Sequence, residues 1–89
     1  MIVTESEMLN VIIVNYNAGA LLRQCVDSVL SSEGVSVRCV VVDNASADDS
    51  LAFVDEPPYK GDKLLVIRNN KNLGFAVAVN QGVAAGAGS

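Results

Sequence analysis

Three short apolar runs, separated by segments with helical spacing, organise the chain. They lie at residues 9–14, 35–42 and 63–67 and are rich in Val, Ile and Leu. Short runs of branched aliphatic residues without a polar face are typical of strands buried on both sides of a sheet. The pattern therefore predicts three buried strands.

The segments between the runs predict two helices. The first begins near Leu21, carries one apolar stripe and ends at Gly34, a residue suited to a helix C-terminal cap. Its stripe consists of Leu21, Leu22, Cys25, Val26, Val29 and Leu30. The second is a short helix over residues 51–54, for which Ser46 and Asp49 have the spacing of a capping box. It must end before Pro57, because the residue before a proline avoids the helical region.

A third helix is predicted over residues 73–85, with Phe75, Val79 and Val83 as its apolar stripe. Strands that alternate with helices imply parallel strands and right-handed crossovers. The predicted fold is therefore α/β, with a three-layer Rossmann-like parallel sheet. Three polar connections, at residues 15–19, 43–47 and 68–72, would then meet at the carboxyl edge of the sheet, where open parallel sheets bind ligands.

Composition limits the chemistry. The 89 residues include no His and carry a net charge of −4, with a pI of about 4.4. The absent His excludes Ser–His–Asp relays, and the acidic balance argues against a nucleic-acid partner. Cys25 and Cys39 stand in apolar surroundings, so we expect two buried free thiols and a cytoplasmic location. No signal peptide or membrane-spanning run is apparent.

Residues alone leave the role of each polar connection open. Asp43 could accept hydrogen bonds from a ligand or from its own turn. Tyr16 could cover the sheet edge or face a flat ring, and Asn17 could cap a helix or contact a ligand. Arg68 could be a solvated strand end or could bind a phosphate or base. The first turn, NYNAGA, lacks the glycines of a dinucleotide fold, and no phosphate-binding loop motif is present.

Three ordered segments carry a resemblance to a known family. VIIVNYNAG, VVVDNASADDS and NNKNLGFAVAVNQG closely resemble the N-terminal half of family 2 glycosyltransferases of the GT-A type, in particular the rhamnosyltransferase-like subgroup. The match runs from about Leu9 to about Gly86. It implies a binding site for a nucleotide-diphospho-sugar, either UDP- or dTDP-linked, and transfer of that sugar to a hydroxyl of a glycan or lipid-linked acceptor.

The resemblance also implies which residues would bind the nucleotide. The end of the first strand would line the nucleoside pocket, Asp43 would accept from the base, and the third segment would cover the nucleotide from the other side. The implied residues are Val14, Asn15, Tyr16, Asn17, Asp43, Asn44, Ser46, Arg68, Asn72, Gly74, Phe75, Asn80 and Gly82.

The chain departs from the family in what it lacks. In the family, a later acidic motif holds Mg²⁺ or Mn²⁺ on the diphosphate, and a later Asp or Glu is the catalytic base. This sequence has no acid after Asp62. We therefore expect residues 1–89 to be one partial domain that binds no metal, has no catalytic residue and is inactive alone.

The resemblance and the cut sheet have further implications. The parent enzyme would be an inverting transferase of cell-surface polysaccharide synthesis associated with the inner face of the membrane, and the exposed sheet edge or last helix would form a homo-oligomer. Two other classes stay open: a different nucleotide-binding enzyme such as a nucleotidyltransferase, and a non-catalytic flavodoxin-like module. A response-regulator-like domain would need an acidic pair where Asn15 and Asn17 stand.

Overall fold

A computed structural model describes residues 9–31, 37–59, 61 and 63–87 of the chain. The three strands pair in parallel in the order β1-β2-β3, so β2 is central. The elements are β1 (Leu9–Asn15), α1 (Ala20–Leu30), β2 (Val37–Asn44), β3 (Leu64–Asn69) and α2 (Phe75–Ala87). Each predicted strand is present, and each extends past its apolar run to include polar residues at its carboxyl end.

The sheet has one helix on each face, which confirms the predicted three-layer α/β arrangement. Alternate residues of β2 divide the core between the two faces. Cys39 and Val41 pack with α1 on one face, while Val40 and Val42 pack with α2 on the other. All four side chains are fully buried.

Only part of the predicted stripe on α1 is buried. Leu22 and Val26 lie in the core, but Leu21 is 62% exposed and Cys25 is also exposed. The helix packs chiefly over β2, so its outer side lacks a neighbour among the described residues. The prediction that both thiols are buried is therefore wrong for Cys25 and correct for Cys39. Both cysteines are free, and burial raises the pKa of Cys39 to about 11.

The short helix predicted over residues 51–54 is wrong. Residues 50–59 form successive tight turns, with bonds such as Ala52 N to Asp49 O (2.9 Å) and Glu56 N to Phe53 O (3.0 Å). Two reasons are local: the Ser46 hydroxyl bonds Asp43 instead of capping a helix, and the prolines that follow cannot continue one.

Aromatic contacts attach these turns to α1. The rings of Phe53 and Tyr59 meet edge to face at 4.8 Å, and the Arg23 guanidinium lies 5.3 Å from the Tyr59 ring centre. The Tyr59 hydroxyl donates to Asp27 Oδ1 at 2.6 Å, which raises the pKa of Tyr59. The turns therefore cover the α1 face of the sheet in place of the predicted helix.

Small residues of α2, not the predicted stripe, face the sheet. Phe75 and Val83 are 73% and 53% exposed, whereas Ala78 is fully buried. A Cβ built on Gly82 would lie 2.6 Å from Ile12 Cγ2, so only glycine allows this approach. The hydrophobic pattern indicated the helix correctly but assigned its buried face wrongly.

The direction of α2 is fixed at both ends. Near its start, Gly74 O accepts from Asn44 Nδ2 at the carboxyl end of β2; near its other end, Gly86 O accepts from Arg38. Within the part of the chain that the structure describes, no strand pairs with the outer edge of β1 or of β3. The predicted cap at Gly34 lies outside the described residues.

Among the described residues, neither α1 nor α2 is long and apolar enough to cross a membrane.

Candidate functional site

A polar row crosses the carboxyl edge of the sheet on the α1 face. Asn15, Asp43 and Arg68 are register partners on β1, β2 and β3. Asn15 is fully buried and Asp43 is 4% exposed, while Arg68 is exposed. Among the described residues the Arg68 side chain makes no hydrogen bond or ion pair. Tyr16, the residue directly after Asn15, is 55% exposed. The row therefore places a fixed carboxylate beside a free cation and an accessible ring.

Neighbouring donors hold the Asp43 carboxylate. Its Oδ1 accepts from Asn15 Nδ2 at 2.7 Å and from Ser46 Oγ at 2.6 Å, and its Oδ2 accepts from Ser46 N at 3.1 Å. A carboxylate oxygen can accept about two hydrogen bonds, so Oδ2 has one acceptor position left. The sequence left open whether this acid serves its own turn or a ligand. The structure shows the turn bonds and leaves capacity for one more donor.

The side-chain amide of Asn15 is the centre of this cluster. Besides Asp43, its Nδ2 lies 2.9 Å from Ser50 Oγ and 3.1 Å from Ser46 Oγ. Its Oδ1 is buried and has no hydrogen-bond partner among the described residues. Because Asp43 can only accept, the nitrogen of the amide must face the carboxylate. The amide orientation is thereby settled by chemistry.

Reciprocal side-chain bonds join the loops after β1 and β2. Asn17, with a positive φ of 52°, accepts from Ala47 N at 2.7 Å through Oδ1. Asp48 accepts from Gly19 N at 3.0 Å. Its hydrogen bond from the Ser50 hydroxyl is the main reason that the pKa of Asp48 lies below its usual value. Asn17 therefore supports the neighbouring loop, a role that is not predicted from sequence, and it does not cap α1.

Asn44 organises the other face of the same edge. Its Oδ1 accepts from Asn69 Nδ2 at 2.9 Å, and its Nδ2 donates to Gly74 O at 3.2 Å. Asn69 and Gln81 exchange two hydrogen bonds, of 2.8 and 2.9 Å, which attach β3 to α2. Asn44 is 2% exposed, and it therefore fixes the start of α2 from a buried position.

The loop before α2 contains further residues implied by the resemblance. Asn72 Oδ1 accepts from Gly74 N at 2.9 Å, and Gly74 has a φ of +86°, which favours glycine. Phe75 lies exposed at the start of the helix. These three residues meet at the same edge as the polar row.

Three other implied residues lie away from the open edge. Val14 packs with the core on the α2 face. Asn80 is exposed on α2, and Gly82 lies about two helical turns from the start of that helix, against Ile12. Packing alone accounts for the glycine at position 82. A contact between these residues and a nucleotide stays a prediction of the resemblance.

Sequence reasoning missed four residues that shape the site: Asp48, Ser50, Asn69 and Gln81. Because a short helix is predicted after Ser46, Asp48 is expected only to complement the N-terminus of that helix, and Ser50 has no predicted role. Their signal was present in the segment DNASADDS, where polar residues at alternate positions can bond neighbouring backbone. Asn69 and Gln81 lack such a signal, because their pairing depends on the path of α2.

The described residues contain no group of three or more Cys, Asp or Glu side chains that could hold a metal ion. The carboxylates nearest the edge, those of Asp43 and Asp48, already accept hydrogen bonds from protein donors. This set does not fit the Mg²⁺ or Mn²⁺ that the resemblance implies for the full-length enzyme. No chemical step is therefore assigned to a metal held by these residues.

Comparison with known proteins identifies a matching family and several relatives. The model for "Glycosyl transferase family 2" matches residues 10–89. A protein of Mycobacterium tuberculosis described as uncharacterized is 42% identical over 76% of this chain and 21% of its own length. The succinoglycan biosynthesis protein ExoO of Rhizobium meliloti is 34% identical over 84% and 22%. The glycosyltransferase GlyG of Streptococcus pneumoniae is 28% identical over 93% and 28%. The chain thus spans between a fifth and a third of the length of these relatives.

Proposed function

Because the chain belongs to glycosyl transferase family 2, we propose that its carboxyl edge binds the nucleotide of a nucleotide-diphospho-sugar. The observation that carries this proposal is the polar row Asn15–Asp43–Arg68, in register across the three strands. The row supplies an oriented carboxylate acceptor and, within the part of the chain that the structure describes, an unpaired guanidinium on one face of one edge. A nucleoside diphosphate offers complementary groups, namely base N–H donors and a negative diphosphate.

Each residue of the site has a separate task in this proposal. The remaining acceptor position on Asp43 Oδ2 receives a base N–H. The accessible ring of Tyr16 lies along the base, since aromatic faces favour stacked or edge contacts. Arg68 binds the diphosphate with its fork of N–H donors. In a chain of net charge −4, this local cation offsets the repulsion that a diphosphate would otherwise meet.

The donor is UDP- or dTDP-linked in this proposal, and the protein takes part in passing the sugar to a hydroxyl of a glycan or lipid-linked acceptor. One relative is named a glycosyltransferase and another a succinoglycan biosynthesis protein, and these names support a role in polysaccharide synthesis. An inverting transfer needs a base to deprotonate the acceptor hydroxyl. We assign that base, and any divalent cation on the diphosphate, to no residue of this chain.

Nucleotide titration followed by NMR tests the proposal. UDP and dTDP, added up to millimolar concentration to the 89-residue chain, should shift the backbone amide signals of Tyr16 and Asp43. Asp43→Asn should weaken binding about tenfold, because an amide offers one acceptor oxygen and carries no charge. Asp55→Asn, on an exposed residue of the turn segment, is the matched control and should bind as the wild type does.

Two outcomes would contradict the proposal. One is the absence of any shift at millimolar nucleotide. The other is an Asp43→Asn variant that binds as tightly as wild type and Asp55→Asn, which would leave no specific role for Asp43.

A further inference from the structure

Ser50 is a buried hydroxyl, 4% exposed, that lies beyond the residues expected to contact a nucleotide. It occupies the end of the loop after β2, where the tight turns begin. Its Oγ makes hydrogen bonds to two side chains, those of Asp48 and Asn15. Asp48 also accepts from Gly19 N just before α1, and Asn15 is the first residue of the polar row.

The direction of each hydrogen bond around Ser50 is fixed. Asp48 Oδ1, at 2.5 Å, is a carboxylate oxygen and can only accept, so it takes the one hydroxyl hydrogen of Ser50. The lone pairs of Ser50 Oγ therefore face Asn15 Nδ2 at 2.9 Å and accept one of its two hydrogens. The other hydrogen of that amide is then directed to Asp43 Oδ1 at 2.7 Å.

Without the Ser50 oxygen, the amide nitrogen of Asn15 would lose one of its two nearest acceptors, the other being Asp43 Oδ1. Ser46 Oγ, at 3.1 Å, is the remaining neighbour, but its own hydrogen goes to Asp43 and it already accepts from Asn17 N at 2.8 Å. The second hydrogen of Asn15 would then have only the remaining lone pair of Ser46 Oγ as its acceptor, at the longer distance of 3.1 Å, and a longer hydrogen bond is weaker. Rotation of the amide would lengthen its bond to Asp43.

We propose that Ser50 is a positioning residue for nucleotide binding, which orients the Asp43 carboxylate through the amide of Asn15. This inference rests on the proposed function of the Asp43 edge. Ser50 itself contacts no nucleotide. Because the Ser50 hydroxyl donates to the Asp48 carboxylate, its oxygen accepts from the Asn15 amide. Asn15 in turn holds Asp43 Oδ1, so that Oδ2 keeps its free position toward the base.

The variant Ser50→Ala tests this role when affinity and stability are measured together. The Kd for UDP should rise about five- to tenfold, the cost of a misdirected hydrogen bond. Ser50→Thr keeps the hydroxyl and should restore affinity to within about twofold of the wild type. Ala78→Gly, buried under α2 on the opposite face, controls for lost stability, and all titrations are run where urea unfolding shows each variant folded.

An NMR measurement on the ligand-free protein reports directly on the hydrogen bond between Ser50 and Asn15. The two side-chain amide hydrogens of Asn15 should give separate, slowly exchanging NMR signals in the wild type. In Ser50→Ala, one signal should move and exchange faster with water, while both stay unchanged in Ala78→Gly. A residue that only fills space would move neither signal.

The outcomes separate this inference from the function on which it rests. If wild-type protein fails to bind UDP and dTDP, the proposed function and the role of Ser50 are both overturned. If wild type binds, but Ser50→Ala binds equally well or only as weakly as Ala78→Gly, the role of Ser50 alone is wrong. Unchanged Asn15 amide signals in Ser50→Ala would likewise overturn it.

Discussion

The side-chain amide of Asn15 donates a 2.7 Å hydrogen bond to the carboxylate of Asp43 on the neighbouring strand, and both residues are buried. A buried carboxylate is tolerated when donors satisfy it, and β1 supplies this donor at the register position opposite. The pair connects strand register to the geometry of the proposed site, so changes to it should affect both stability and binding.

Asn15→Asp should destabilise the protein at neutral pH. The change replaces the donor by a second carboxylate of almost the same shape, so two like charges would share a buried site. We expect a loss of about 2–4 kcal/mol in the free energy of unfolding at pH 7, measured by urea denaturation. The loss should shrink at pH 5, because one carboxyl of the folded pair takes up a proton that the unfolded chain does not bind.

Asn70→Asp is the control for the same chemical change at an exposed loop residue. It should alter stability by less than about 0.5 kcal/mol. Equal losses in the two variants, or a loss in Asn15→Asp that is the same at pH 7 and pH 5, would show that the Asn15–Asp43 bond has little importance for the fold.

Gly82→Ala should also destabilise the protein, although helix propensity alone predicts a gain of about 1 kcal/mol. The new Cβ would lie 2.6 Å from Ile12 Cγ2 and 3.3 Å from Val42 Cγ2. Forcing α2 away from the sheet should give a net loss of about 1–3 kcal/mol. Thermal and urea unfolding measure the change.

Two further variants test the cause. In the double variant Ile12→Ala with Gly82→Ala, the added methyl occupies vacated space, so the combined loss should be smaller than the sum of the single losses. Ala84→Gly, on the exposed side of α2, reports the backbone effect alone and should cost about 1 kcal/mol. A stabilising Gly82→Ala would contradict the close approach of α2.

The sequence is sufficient for the three strands, the first and last helices and the acid at the end of β2, because buried parallel strands leave continuous apolar runs that end where the sheet meets solvent. It was insufficient for the buried face of α2. Phe75 and Val83 carry most of the apolar signal, yet Ala78 and Gly82 contact the sheet, since the distance between layers is set by the smallest side chains in contact. Patterns of hydrophobicity record transfer free energy and do not record this distance.

The network around Asp43 could be predicted only in part for a related reason. The positions of Asn15 and Asp43 at strand ends follow from sequence, and parallel pairing then brings them together. The role of Ser50 depends on how the chain turns after β2, where a helix was predicted and tight turns are present. Local turn bonds compete with helix formation in segments rich in Ser and Asp, and spacing alone does not decide that competition.

Self-association through the β1 side of the molecule is a further prediction. An open groove of about 450 Å³ lies between β1 and α1, and its lining residues are Ile13, Leu21, Gln24, Cys25, Ser28 and Val29. Leu21 is 62% exposed there. Unpaired strand edges beside apolar surface favour pairing with a second copy. Light scattering should therefore show a mass that rises with concentration, and Leu21→Glu should return the protein to a monomer.

Val83→Glu is the control for that experiment, because it adds the same charge on α2, where Val83 is 53% exposed. It should leave the association unchanged. Dissociation by Val83→Glu alone would assign the contact to the last helix, and a wild-type monomer at all concentrations would refute self-association altogether.

Alkaline pH should destabilise the protein through Cys39. Burial raises the pKa of this thiol from 9.0 to about 11, so from pH 9 to 11 the unfolded chain loses a proton that the folded chain keeps. The contribution is fully present below pH 9 and is lost as pH rises through the folded value, with a change of about 2–3 kcal/mol.

Urea unfolding at pH 8 and 10.5 should show a smaller drop for Cys39→Ala than for wild type. The exposed-site control Cys25→Ala should keep most of the drop, because the charge of Cys25 is only the smaller cause of the raised pKa of Cys39. The Tyr59 phenol, whose pKa is raised by its bond to Asp27, contributes in the same direction in all three proteins and cancels in the comparison. Equal drops in Cys39→Ala and wild type would show that this thiol does not govern the alkaline transition.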